Sequence, residues 1–334
     1  MKYSHSGKQR TRPTIVQTII GCILAAASIS RAAEPLRSAP EGAASAFRTY
    51  TVRPRETDAA IDAADNPHVA LVAECAKQTR RLYLFLPGTG GVPSTVMSLL
   101  HLAALNCLHV VSLSYPDETA VFNACVRERA EPDCYAAWRL EKIDGVARSA
   151  KIRIAPQNSI ENRLLKLLEY LAGRNSTDGW DSFLENRGIK WDTIIVSGHS
   201  QGGGEAAMLG KIHLVARVAM FGSVTDAVGS RSGPPPAWLT KPGATPTDRY
   251  FGFAHQRDEF WGSIERSWIA LGLHRFGPIV NVDSDSNPFE QTHRLTTNVN
   301  CVNPRARNCA HSTVVAPRLS PQFAQVWKYM LGIR

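Results

Sequence analysis

At Gly198-His199-Ser200-Gln201-Gly202 a serine stands between two glycines, directly after the apolar run Ile194-Ile195-Val196 and before the small residues Gly203, Gly204, Ala206 and Ala207. That order reads as a strand, a tight turn and a helix, with the serine in the turn. A serine so placed has strained backbone angles, and glycine neighbours let other chain segments pass close. It also sits at the positive end of the helix, where a backbone N–H can meet a developing oxyanion. A phosphate-binding loop is the competing reading of a glycine-rich turn after a strand. It lacks support here, because no lysine closes the loop and the order G-x-G-x-x-G is absent.

A serine hydroxyl needs a base to accept its proton as it attacks. Downstream histidines are His213, His255, His274, His293 and His311. His213 falls in or just after the helix that follows Ser200. Carboxylates close to downstream strand ends are Asp226, Asp258 and Glu259.

These groups need a scaffold that brings distant segments to one edge. The chain alternates apolar runs with amphipathic stretches. Strands are predicted around 47–52, 68–75, 81–86, 108–115, 193–197, 215–221, 250–254 and 279–282. Helices are predicted after Pro93-Ser94-Thr95 and at 159–172, 201–209, 260–271 and 321–330, with a charged, mostly helical excursion over 116–157. Such alternation implies an α/β fold, a mostly parallel sheet with helices on both faces, within one domain over 46–334. A Gly- and Pro-rich insert at 229–247, containing Trp238, is too long for an ordinary connection.

On the Gly198–Gly202 motif and this element order, the chain resembles the α/β-hydrolases over nearly its whole length after residue 45. The resemblance implies a nucleophile elbow at Ser200 and a triad in the chain order serine, acid, histidine. It points to His311, after the last predicted strand and before the final helix, with His293 in reserve. It points to Asp258, after the penultimate strand, ahead of Asp226 and then Glu259. The second oxyanion donor then comes from Pro87-Gly88-Thr89-Gly90-Gly91, with the Thr89 N–H first and Gly90 next, beside Gln201. The insert at 229–247 stands where α/β-hydrolases often carry a lid, and the resemblance implies that it borders the substrate pocket. The implied chemistry is hydrolysis of a carboxylic ester in a small-molecule or polymeric substrate, with no metal or organic cofactor. Acyltransferases, thioesterases and peptidases share the fold, and a non-catalytic binding protein could retain it.

Bulk properties bear on location and partners. Of the net +9 charge, Lys2, Lys8, Arg10, Arg12 and Arg31 lie in the first 33 residues with no acid among them, so the remainder carries only +4. With no basic stripe interleaved with aromatics, nucleic-acid binding is not indicated. A basic segment, an apolar run from Ile15 to Ile29 and small residues up to Ala33 read as a cleaved secretory signal at 1–33, followed by a loose lead-in at 34–45. A lipid-anchored Cys22 is a weaker alternative, because an apolar start would follow it. Once the signal is removed, no stable membrane insertion is expected, and the protein would be secreted or periplasmic. The remaining cysteines are an even set, Cys75, Cys107, Cys125, Cys134, Cys301 and Cys309. Cys125/Cys134 and Cys301/Cys309 each enclose a short polar loop, which leaves Cys75 with Cys107, and three disulfides are expected in an oxidising compartment. Asn175-Ser176-Thr177 is a glycosylation sequon with meaning only in a eukaryotic host.

Overall fold

The computed structural model describes residues 47–128, 131, 133–301, 305 and 308–333. The signal and lead-in expected at 1–45 lie outside the described residues. Within them no helix is long and apolar enough to cross a membrane.

Nine strands form one sheet: β1 (Arg48–Val52), β2 (His68–Val72), β3 (Leu82–Leu86), β4 (His109–Ser112), β7 (Ile194–His199), β8 (Arg217–Phe221), β9 (Tyr250–His255), β10 (Ile279–Asn281) and β11 (Arg294–Thr297). A separate hairpin pairs β5 (Leu184–Glu185) with β6 (Gly188–Ile189). The spatial order is β1-β2-β4-β3-β7-β8-β9-β11-β10. Only β2 runs against its two neighbours, β1 and β4; the other pairs are parallel.

The period of two sets the layers. In β3, Leu82, Leu84 and Leu86 face one core, while Tyr83 and Phe85 face the other. The first core is closed by α5 (Cys134–Asp144), α6 (Ile160–Arg174), α7 (Gln201–Ile212) and α8 (Trp261–Ala270), with Trp138, Leu164, Leu168 and Trp268 buried in it. The second is closed by α3 (Met97–Leu105) and α10 (Ser320–Leu331), through Leu100, Phe323 and Trp327. Shorter helices complete the chain: α1 (Pro54–Thr57), α2 (Ala76–Thr79), α4 (Val121–Cys125) and α9 (Cys309–Thr313). A mostly parallel sheet, helices on both faces and a strand–turn–helix elbow at Ser200 make this the α/β-hydrolase fold.

Two differences from the sequence reading matter. Strand β11 lies outside the predicted strands and inserts between β9 and β10, so the loop leading to His311 leaves from β11. Of the three expected disulfides, Cys75–Cys107 and Cys125–Cys134 are formed, with Cα separations of 5.1 and 5.6 Å. The third is not: Cys301 and Cys309 are free thiols. Burial, with Cys309 as its neighbour, pushes the Cys301 thiol pKa up.

Candidate active site

Strand β7 delivers Ser200 at the centre of the sheet, between β3 and β8. The residue has φ 55° and ψ −122°, a positive-φ conformation that a residue with a side chain rarely adopts. The surroundings hold it there. Its N–H donates to Phe221 O at 2.9 Å, and its carbonyl accepts from Gly203 N at 3.1 Å and from Ser223 Oγ at 2.8 Å. The glycines are explained by contact: a side chain at Gly202 would overlap the carbonyl of Leu86, and one at Gly198 would overlap Gly202. The turn can therefore close only because both are glycine.

His311 lies in the single turn and a half of α9 and is almost fully buried. Its Nδ1 is 2.6 Å from Asp258 Oδ2. Asp258, in the loop after β9, has no exposed side-chain surface, and its Oδ1 accepts from Phe260 N at 2.9 Å. An ionised carboxylate can only accept, so Nδ1 carries the proton and Nε2 presents a lone pair. That Nε2 is buried without a hydrogen-bond partner. Ser200, His199 and His311 line one cavity of about 770 Å³.

Other candidates lie elsewhere. Asp226 is fully buried and forms a two-pronged ion pair with Arg139, with Nε to Oδ2 at 3.0 Å, and accepts from Trp238 Nε1 at 3.1 Å. Glu259 pairs with Arg231 at the cavity rim. His293 stacks between Phe251 and Phe276, with Nδ1 on Tyr250 O. His255 is buried against Val299 O, and His213 pairs with Glu161.

The loop after β3 runs against the elbow: an ideal Cβ at Gly88 would lie 3.0 Å from both His199 O and Ser200 Cβ. Gly90 N donates to Asp117 O and Gly91 N to Gly88 O, so both are committed. Thr89 lines the cavity. Gln201 is the first residue of α7, where a helix leaves its N–H without an internal partner. Its side chain is turned away from the serine, with Oε1 accepting from Val121 N at 2.7 Å.

Arg139 and Glu205 were not singled out from the sequence. From α5 the Arg139 guanidinium reaches Asp226, Glu205 Oε1 at 3.2 Å and the carbonyl of Gln201 at 3.2 Å. A side chain at Gly204 would overlap that guanidinium. The third glycine after the elbow, followed by a glutamate in an apolar helix, was the available signal of a buried cation.

The insert at 229–247 contributes Arg231 to the cavity, but Trp238 does not line it; that ring packs in the core on Asp226. Beside Arg231, α4 contributes Phe122 and Asn123, and the Cys125–Cys134 bond fastens α4 to α5. Phe122 meets Phe260 edge to face at 5.3 Å, and Arg231 lies 4.5 Å over the Phe260 ring. Among the described residues no group of three or more His, Cys, Asp or Glu side chains converges as a metal site would require.

No protein-family model and no curated protein matches the chain. Solved structures do resemble it. TT1662 from Thermus thermophilus is 17% identical with a TM-score of 0.37, over 86% of this chain and 100% of that one. A putative dienelactone hydrolase from Klebsiella pneumoniae is 13% identical with a TM-score of 0.42, over 86% and 98%. The esterase Est22 is 10% identical with a TM-score of 0.37, over 86% and 81%.

Proposed function

We propose that the protein is an exported serine hydrolase that cleaves a carboxylic ester through an acyl-enzyme on Ser200. The observation that carries this reading is the His311 imidazole. Asp258 fixes its Nδ1, and its unpartnered Nε2 shares a cavity with a serine held in a strained turn.

In the proposed reaction, Ser200 Oγ attacks the ester carbonyl while His311 Nε2 takes its proton, and Asp258 stabilises the imidazolium that results. The N–H groups of Thr89 and Gln201 receive the oxyanion. His311 returns the proton to the leaving alcohol. Water, activated by the same nitrogen, then hydrolyses the acyl-enzyme and regenerates Ser200.

The cavity supports an uncharged substrate with a bulky apolar group. Phe85, Val96, Phe122, Phe260 and Val315 supply apolar surface, and the charge of Arg231 is answered by Glu259. Two disulfides support an oxidising compartment.

Pre-steady-state hydrolysis of a p-nitrophenyl ester tests the reading. The expected result is a burst of one nitrophenol per chain, abolished in Ser200→Ala. Turnover without a burst that survives in Ser200→Ala would overturn it.

A further inference from the structure

Among the cavity's side chains without a role in the mechanism above is a second imidazole, His199. His199 stands between Gly198 and Ser200, as the last residue of β7. Its Nε2 lies 2.9 Å from the main-chain carbonyl of His311, and the two imidazole rings are 4.8 Å apart between centroids. A carbonyl only accepts, so Nε2 of His199 carries the hydrogen. Burial, with the His311 ring nearby, pushes its pKa down to about 4, which keeps it a neutral donor through the neutral range. The opposite edge of the ring faces the loop after β3, where an ideal Cβ at Gly88 would lie 3.3 Å from Nδ1.

The helix that carries His311 needs such an anchor. Five residues cannot sustain a helix by themselves. Asn308 opens α9 in a left-handed conformation and provides no side-chain cap. The Asp258 bond restrains the imidazole ring and the Trp327 Nε1–H donates to Val314 O at the end of α9, but neither grips the main chain at His311 itself.

We infer that His199 is a positioning residue: its neutral Nε2–H clamps the His311 main chain to the nucleophile elbow, so that one residue holds the serine turn, the oxyanion loop and the base in register. The inference rests on the serine-hydrolase reading for its kinetic consequence, though not for the clamp. Neutrality matters here, since His311 becomes an imidazolium during the reaction and a cation at position 199 would oppose it.

The test uses His199→Gln, whose amide nitrogen can occupy the place of Nε2, His199→Asn, whose amide is too short to reach, and His199→Leu. The first readout needs no substrate: the far-downfield proton resonance of the His311 Nδ1–H bonded to Asp258. Wild type and His199→Gln should show it, while His199→Asn and His199→Leu should lose or broaden it. The second readout is ester hydrolysis. A base displaced by about 1 Å loses roughly 10²-fold in kcat, and Asn and Leu should show that loss at unchanged KM, with Gln restored to near wild type. Circular dichroism checks that each variant is folded, and the Gln and Asn pair decides the matter if Leu is not. The clamp is refuted if Asn matches Gln in both readouts, or if Leu keeps the resonance and kcat of wild type. Failure of the wild type to react with a fluorophosphonate would instead sink the serine-hydrolase reading, while the resonance would still judge the clamp.

Discussion

Replacing Asp258 and Asp226 separately by asparagine should give opposite phenotypes, because the two carboxylates are engaged in different tasks. In Asp258→Asn the remaining amide oxygen can still accept from Phe260 N, now at 2.9 Å, so the loop keeps its shape. The amide nitrogen, however, faces His311 Nδ1 in place of an acceptor. The imidazole must then put its proton on Nε2, which removes the lone pair that the proposed mechanism needs to deprotonate Ser200. Holding a catalytic histidine in the wrong tautomer lowers kcat by about 10⁴-fold, equivalent to about 5.5 kcal/mol of transition-state stabilisation. Asp226→Asn acts on stability. Arg139 has no exposed side-chain surface and would face its remaining partner Glu205 with one negative charge gone. Removing one member of a buried ion pair costs about 3–5 kcal/mol, and at about 2 °C per kcal/mol for a domain of this size Tm falls by roughly 6–10 °C. The assay is kcat on a p-nitrophenyl ester at saturation together with scanning calorimetry on both variants. The reasoning fails if Asp226→Asn shows the 10⁴-fold loss at unchanged Tm while Asp258→Asn stays active.

Acid should destabilise the protein over a defined window. His68, His199 and His293 are buried neutral, with pKa values pushed down to about 3, 4 and 4 by desolvation, and His109 is pushed the same way. Stability from such groups is complete above the unfolded value of 6.5 and is lost as pH falls toward the folded values. Asp117 opposes them, since burial raises it to about 7 and the native state keeps its proton. For the three histidines held lowest, His68, His199 and His293, the unfolded chain between pH 6 and 4.5 thus holds about three protons that the native chain lacks, against one held by native Asp117. A net difference of two protons costs roughly 3 kcal/mol per pH unit, seen in calorimetry as a falling Tm; a Tm that is flat or rises toward pH 4.5 would contradict this. The two disulfides close segments with sequence separations of 9 and 32 residues. On chain entropy their loss costs about 2.5 and about 3.7 kcal/mol respectively, so Cys75→Ser/Cys107→Ser should have the lower Tm. Cys125→Ser/Cys134→Ser should instead raise KM for apolar esters, because it frees α4 and Phe122; the reverse ranking in both measurements would refute the assignment of α4 as pocket wall.

Much of the layout was legible in the sequence because the signals were local. The run Ile194-Ile195-Val196 ending at glycine, the stop at Pro87-Gly88 after Leu86 and the small residues after Ser200 each specify their own conformation. The meeting of His311 with Asp258 could be expected only from chain order, since 53 residues separate them. What stayed hidden was nonlocal. Strand β11 reads Arg-Leu-Thr-Thr, too short and polar to stand out, and its pairing with β9 and β10 supplies what its sequence lacks. Asp226 follows a strand end just as Asp258 does, and nothing near it announces that Arg139, 87 residues earlier, neutralises it. An even cysteine count likewise carried no information on whether Cys301 and Cys309 would bond or merely touch. The insert at 229–247 does reach the cavity through Arg231, but its Trp238 packs in the core, which nothing local to that residue announces.

The central claim is that Ser200 is a nucleophile served by His311 and Asp258. Reaction with a fluorophosphonate, followed by mass spectrometry of the digested protein, tests it most directly. The account predicts a single adduct on the peptide at Ser200, absent from Ser200→Ala and formed far more slowly in Asp258→Asn. An adduct on another residue, or equal labelling of wild type and Ser200→Ala, would contradict it.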